Sequence, residues 1–469
     1  MNPQVIEYLK KKSINVIEED ITTKLLSWEQ WYKGHVDSFH EYKVYQGKKE
    51  LKLERKTLNM PLRICQRWAD LLWNEKAEIT VNDDYTQQKL NELIKQVNFP
   101  VRGNNLIERA FALGGGFLIQ YWDGEKTNQK YISQEMMIPI TYDSGRLIEA
   151  AFSSKKTIDG KEYTYLETHL LDDNKEYVID NTLLRVNKES LTEVSQSFYE
   201  EHGIEPKVIT HSKEPLFQMI RPNIANRDNF NSAYGTSVFS GAIDTFKSID
   251  VIYDSYYKEF LLGKKRIFVH DGVTNINFDK SGNQVQVFDP QDEVFYRLPD
   301  AENGEAPIQE SNGELRVAAH DTALQTQLNI LSQQVGFGAN GFKWNEGAVS
   351  TATQIISQNS EMFRTLKKHE TLLKDAVINM AKGLLFIEST FGEDSQIKLD
   401  AEISIDFDDS IIEDTGEIRR QAMLELNAGL IDPIQYYQDV YKLTEEQAIE
   451  FRKKLEARAE PVKEEPDGA

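Results

Sequence analysis

At 469 residues the chain is longer than a single hydrophobic core supports, so two or more domains are expected. Apolar residues at 40% and charged residues at 28% exclude a mostly disordered chain. The 54 Lys and Arg against 76 Asp and Glu give a net charge of −22, which argues against a protein that grips nucleic acid by neutralising phosphates, although a repelling wall would suit a conduit through which a polyanion slides.

The first twenty residues include Lys10, Lys11 and Lys12 but no apolar core of signal-peptide length, so no export signal is expected. Residues 7–31 read as one amphipathic helix, with Ile14, Ile17, Ile21, Leu25 and Trp28 three and four apart. A second helix is expected at 59–74 on the apolar set Met60, Ile64, Cys65, Trp68, Leu71 and Leu72, running into a short strand at 77–81. Cys65 is the single cysteine, which rules out an internal disulfide, suits a reducing compartment and reads as a small core residue.

From 113 to about 221 the pattern changes to short β-rich runs, such as FLIQYW and YTYLETHLL, separated by Asp, Gly and Asn turn signals. The longest uncharged apolar stretch, 110–122, is shorter than the roughly 20 residues of a spanning helix and holds three glycines, so no membrane segment is expected. Gly235 and Thr236 then open a helix predicted to reach about 262, roughly 40 Å long, with Phe239, Phe246, Ile249, Tyr253, Tyr256, Tyr257 and Phe260 on its apolar side. Gly263 closes it, and Lys264, Lys265 and Arg266 put cations at the negative end of its dipole.

Residues 267–317 are acidic and turn-rich with short β runs, a small insertion between two helices. Helix resumes at 321–335, breaks at a glycine-rich segment, 336–347, and continues as the longest helix at 351–388, opened by a Thr351/Gln354 capping box. After a strand at 401–407 come three short helices, 417–427, 433–441 and 445–458, punctuated by Gly429, by Asp432 with Pro433, and by Thr444 with Gln447. Residues 401–469 hold 18 acidic against 8 basic side chains, and the Glu- and Pro-rich last ten are expected to be disordered. The sum is an α+β fold with no internal repeat.

Sequence motifs for catalysis or cofactor binding are weak. Gly336, Gly338 and Gly341 spell GxGxxG, but the dinucleotide fingerprint needs a strand before it and a helix immediately after, and here a helix precedes. A loop between helices fits better than an NAD site. Gly114-Gly115-Gly116 lacks the Lys-Ser/Thr pair of a phosphate cradle and reads as a tight turn. His369-Glu370 starts a zinc-protease pattern that Leu373 breaks, leaving a surface helix as the expectation. Asp408-Asp409 could hold a divalent ion, yet solvated surface is the expected reading in so acidic a chain. No catalytic residue, metal or cofactor is nominated, and the chain is not expected to be an enzyme.

The blocks RKTLNMPLRICQRWADLLWNEKAEITV (55–81), QVGFGANGFKWNEGAVSTATQIISQNSEMFRT (334–365) and FDDSIIEDTGEIRRQAMLELNAGLIDP (407–433), with WEQWYKG at 28–34, resemble the portal family of siphophages that infect Gram-positive bacteria. The resemblance implies the portal fold: a wing over 1–235, a first stem helix 236–263, a clip 264–320, a second stem helix 321–335, a tunnel loop 336–350, a wing spine helix and strand 351–400, a helical crown 401–458 and a tail 459–469. It also implies a homo-oligomeric ring, usually dodecameric, at the portal vertex of the virion, assembled in the host cytoplasm, through which double-stranded DNA is packaged and ejected. Implied partners are the terminase large subunit, head-completion or adaptor proteins at the head-tail connector, and the major capsid and scaffolding proteins, with no membrane. Gly341, Phe342, Lys343, Trp344 and Asn345 are then expected to line the channel, Lys343 being the cation able to reach a phosphate. Lys264, Lys265 and Arg266 mark the stem base and clip edge. The competing readings are an NAD-binding enzyme using 336–341 and another phage structural protein, such as a minor capsid or head-joining subunit.

Overall fold

The computed structural model describes residues 3–46, 49–187, 190–263, 266–270, 277–278, 281, 284–285, 295–298, 308–311, 313–339, 341–342, 352–407, 415–441, 443 and 445–459. Two helices, α1 (Pro3–Lys11) and α2 (Thr22–Lys33), stand where one was expected over 7–31. Ser13 has a φ of 64°, and the Ile17 N–H bonds Pro139 O at 2.8 Å. Ile14 and Val16 pack beside Val5 and Leu9 of α1 on the sheet residues Ile138, Ala151, Leu166 and Leu184. β-branched residues fit this extended, half-buried position better than a helix, so the three-and-four spacing misleads.

Helix α3 (Asp37–His40) leads to the hairpin β1 (Glu41–Gln46) and β2 (Lys49–Glu54). Helix α4 (Met60–Leu72) buries Ile64, Cys65, Trp68 and Leu72, as its spacing predicts. Strand β3 (Glu78–Val81) follows, then two helices that the sequence reading leaves unassigned, α5 (Asp84–Gln96) and α6 (Phe99–Leu113). Their caps are nonetheless conventional: Asp83 accepts from the Thr86 N–H at 3.0 Å, and a proline occupies the first turn of α6.

The β-rich region forms two antiparallel sheets. Strands β4 (Gly116–Trp122) and β5 (Thr127–Ser133) belong to the smaller one. The larger is a meander of β6 (Met137–Asp143), β7 (Arg146–Ile158), β8 (Lys161–Leu171), β9 (Tyr177–Asn187) and β10 (Ser190–Glu193). Two of its turns are two-residue hairpins, Ser144-Gly145 and Asp159-Gly160, all four residues at positive φ, the chemistry such turns require. Helix α7 (Gln196–Glu201) and β11 (Lys207–Ile209), which pairs with β9, complete this sheet, and β12 (Phe217–Ile220) completes the smaller one beside β4. Across the sheets, Lys130 pairs with the buried Glu167, which also meets His169 Nε2 at 3.1 Å. Burial pushes the Glu167 carboxyl up, but the His169 hydrogen bond and the Lys130 charge outweigh it and bring it down to about 2.

Helix α8 (Ile243–Leu262) begins seven residues later than the sequence predicts, and its 20 residues span about 30 Å. The reason lies upstream. A methyl added to Gly235 would sit 1.9 Å from Gly114 O, and the Val238 N–H bonds Phe111 O at 2.9 Å, so this stretch is committed to the end of α6. Gly114, at φ 88°, ends α6 in the tight turn expected of the three glycines.

Between α8 and its return lie β13 (Arg266–His270), β14 (Asn277–Phe278), β15 (Gln284–Val285), β16 (Phe295–Leu298) and β17 (Ile308–Ser311), with β13 central between β16 and β17. Helix α9 (Val317–Gln334) returns, and α10 (Ala352–Phe391), 40 residues and about 60 Å long, is the longest element among the described residues. Leu373, Val377, Met380, Ala381 and Leu384 of α10 are buried in the main core, and Gly383 lets the helix approach Gln120 of the smaller sheet. Strand β18 (Ile403–Asp406) pairs antiparallel with β3, returning the chain to its N-terminal part. The end is α11 (Thr415–Asn427), α12 (Pro433–Tyr441) and α13 (Glu445–Ala459). Gly429 takes φ 71°, and Asp432 accepts from the Gln435 N–H at 2.8 Å, as their punctuation predicts. Thr351, Asp408, Asp409, Thr444 and 460–469 lie outside the described residues.

Two backbones in contact leave no room for a Cβ. Gly235→Ala is therefore expected to cost about 3 kcal/mol or more, read as a lower urea midpoint, while Gly313→Ala, with open space around it, should leave the midpoint unchanged.

Candidate functional site

The site expected from the sequence is built on one helical pair. Helices α8 and α9 run antiparallel: Thr245 Oγ1 near the start of α8 donates to Gln334 Oε1 at the end of α9 at 2.8 Å, and Glu259 near the end of α8 meets Arg316 at the start of α9. The Arg316 contact is bidentate, at 3.1 and 2.7 Å. That hydrogen-bonded guanidinium holds the Glu259 carboxyl down to about 2.

One side of α8 is anchored by its carboxylates. Asp250 accepts from the Leu58 N–H at 2.9 Å and Thr57 Oγ1 at 3.0 Å, and lies 3.2 Å from His40 Nε2. His40 Nδ1 accepts the Val36 N–H, so Nε2 carries the proton that faces Asp250. Burial pushes the Asp250 carboxyl up, and these donors oppose the rise. Asp254 accepts the Lys56 N–H and pairs with Lys258. Beyond these anchors, in the last two turns of α8, Tyr257, Phe260 and Leu261 are spaced i, i+3, i+4 and exposed at 47%, 45% and 47%. Leu315 and Ile330, at the start of and within α9, are exposed as well.

The antiparallel pairing separates the two sets of expected site residues. Arg266 opens β13 opposite Ser311, just past the end of α8. Gly341 and Phe342 follow the end of α9 and fold back along it, the Gly341 N–H on Ser332 Oγ and the Phe342 carbonyl on Gln325, so part of the length of α9 lies between the sets. Lys264, Lys265, Lys343, Trp344 and Asn345 lie outside the described residues.

Residues 335–339, 341 and 342 are held to the core. Gly336 and Gly338 take φ of 84° and 71°, and Phe337 between them is 2% exposed, stacked on Trp68 with ring centroids 4.5 Å apart. Trp68 Nε1 donates to Val335 O at 3.2 Å. Ser332 Oγ donates to Gly338 O at 2.6 Å and accepts the Gly341 N–H at 2.9 Å. Arg67 donates to Gly341 O, and its guanidinium faces the rings of Phe337 and Phe342. A helix precedes the glycines and a buried aromatic side chain sits between them, so the strand-then-helix context of a dinucleotide cradle is absent.

His369 and Glu370 correct the surface-helix expectation, because both are buried. His369 Nδ1 accepts the Asn223 N–H at 3.0 Å, and its ring lies edge-on to Trp68 and Phe111. Burial, with the Lys368 charge nearby, brings its imidazole down to about 3. Cys65 is buried as expected, and burial pushes its thiol well up. Among the described residues, His35, Asp37 and Glu41 bring metal-type ligand atoms together, with His35 Nε2 at 3.3 and 3.8 Å from the two carboxylates. Both carboxylates are exposed, the arrangement of a surface ion-pair cluster.

Sequence reading missed Arg67 and Ser332 and placed His369 on a surface helix. Trp68 was legible as apolar helix face, but nothing in the spacing says that Arg67 beside it reaches a segment 274 residues away.

The sequence family described as "Phage portal protein, SPP1 Gp6-like" matches residues 11–461. No curated protein matches the chain. No described helix is long and apolar enough to cross a membrane.

A histidine whose folded value lies below its unfolded one binds its proton more readily in the unfolded chain, so its contribution to stability is full above the unfolded value of 6.5 and is lost as pH falls towards about 3. Urea midpoints measured between pH 7 and pH 4 should therefore fall with pH, and less steeply in His369→Gln, which offers Asn223 an acceptor that does not titrate.

Proposed function

The chain belongs to the phage portal protein family, whose members are non-enzymatic, oligomeric components of the virus capsid, and from that premise we propose that copies of it close into a ring at one vertex of a tailed-phage head, through which double-stranded DNA is packaged and later ejected. The observation that carries this reading is the exposed stripe of Tyr257, Phe260 and Leu261 on α8. Three large apolar side chains exposed on the last two turns of a helix whose earlier turns are already anchored call for a neighbour. In a closed ring that neighbour is the next copy, meeting a different surface of this one through a heterologous contact repeated around the axis.

On this reading 1–235 and 351–400 form the wing and its spine, 236–263 and 321–335 the stem, 264–320 the clip, 336–350 the tunnel loop and 401–458 the crown. Two features support the order: an antiparallel helix pair joined at one end by a small β module, and a glycine-rich segment at the other. Lys343, with Gly341, Phe342, Trp344 and Asn345, faces the duplex and touches phosphate without reading sequence. The net charge of −22 keeps the rest of the wall from holding the polyanion. Lys264, Lys265 and Arg266 mark the stem base, and the clip beyond them docks the terminase motor during packaging and head-completion proteins afterwards.

Electron microscopy of the purified protein is expected to show rings with a central opening wide enough for a duplex. Phe260→Asp should shift the population from rings to single chains at equal concentration, whereas Lys343→Glu should form normal rings that package less DNA. A protein that stays monomeric at high concentration with its α8 stripe intact would refute the reading.

A further inference from the structure

The glycines at 336 and 338 look like a hinge in sequence, but their surroundings are those of fixed bends. A hinge needs a backbone free to change φ and ψ and few contacts on either side. Here a methyl on Gly336 would meet the Thr365 side chain at 2.6 Å, and the Phe337 N–H is bound to Ser332 O at 2.9 Å. Phe337 is buried against Trp68, Ser332 Oγ bridges Gly338 and Gly341, and Gln325 Nε2 donates to Phe342 O at 3.0 Å.

Arg67 adds the contact that depends most on this arrangement. Its guanidinium is half-buried, and none of the described carboxylates pairs with it. In place of a counter-ion it has the Gly341 carbonyl and the faces of Phe337 and Phe342, at 4.6 and 5.6 Å from the ring centroids. A desolvated cation is costly, so the Gly341 carbonyl and the two rings compensate Arg67 while 337–339, 341 and 342 stay in place, and these residues lose their outer wall if Arg67 leaves. A lysine ammonium cannot substitute, because the contact uses a flat, weakly hydrated cation between two rings.

We propose that Arg67 is a positioning residue: with Trp68 it clamps residues 335–339, 341 and 342 on the core, so any displacement of the channel residues relative to the core pivots beyond Phe342 or first breaks the Arg67 contacts. The clamp is a property of the single chain. Its consequence for DNA passage rests on the ring reading above, because there Phe342 is the point from which each copy presents its channel residues.

Hydrogen exchange of the full-length protein tests the clamp. The Phe337 and Gly341 amides should be protected in the wild type, and Arg67→Ala should speed their exchange about tenfold or more while amides in α6 exchange as before. Arg67→Lys should recover little of the protection, and it decides the matter if Arg67→Ala fails to fold. Unchanged protection in the variant that folds, or rapid exchange of these amides in the wild type, would overturn the clamp. The positioning role is read separately: Arg67→Lys should assemble rings as the wild type does and package less DNA, and normal packaging by a ring with accelerated exchange would overturn that role. Absence of rings from the wild type counts against the ring reading alone, since the exchange result does not depend on assembly.

Discussion

Trp68 is the contact on which the arrangement of the long helices depends. It sits at 0% exposure on α4, with Phe337 stacked on one side, His369 edge-on and Phe111 tilted beside it. Those partners come from the segment after α9, from α10 and from α6, and the indole N–H adds the Val335 carbonyl at the end of α9. A rigid aromatic ring with two torsions fixes several neighbours at small entropic cost, and its single polar atom is satisfied where it lies. Four parts of the chain far apart in sequence are thereby held in one place.

Anchoring and exposure on α8 are two sides of one constraint. Asp250 and Asp254 gather hydrogen bonds from Thr57, Leu58, Lys56 and His40, and buried carboxylates that lose such donors are expensive. Those bonds fix the rotation of α8 and leave Tyr257, Phe260 and Leu261, in the turns beyond them, exposed. Its apolar stripe is therefore a lasting feature of the folded chain, and association is the remaining way to remove it from water. Oligomeric assembly is a property of the family, and the ring proposed for this chain gives it a surface and a physical reason.

The electrostatics divide along the same line. Among the described buried groups, Glu167 has Lys130 and His169, Asp250 has its hydrogen-bond donors, and His369 is kept neutral by burial. Among the described residues the buried carboxylates are those of Glu167, Asp250, Asp254 and Glu370; the other described acidic groups are at least partly exposed, where charge bears on association without deciding the fold.

Much of the architecture was legible in the sequence alone, because local chemistry dictates it. The apolar spacing of α4 and α10, the two-residue turns at 144–145 and 159–160, the glycine that ends α6 and the Asp432 cap of α12 all act over a few residues, so a short window contains their cause. The matching family was recognisable from blocks spread along the chain in order. What only the tertiary structure decided depends on residues distant in sequence. Residues 14–17 run along a sheet because its strands offer them a surface, α8 starts at Ile243 because Gly235 is pressed against Gly114, His369 is buried because α4 and α6 cover it, and the glycine segment is a pinned bend because Arg67 and Trp68 reach it. Spacing and propensity report the local preference of a segment; which preference survives is set by the neighbour that buries it.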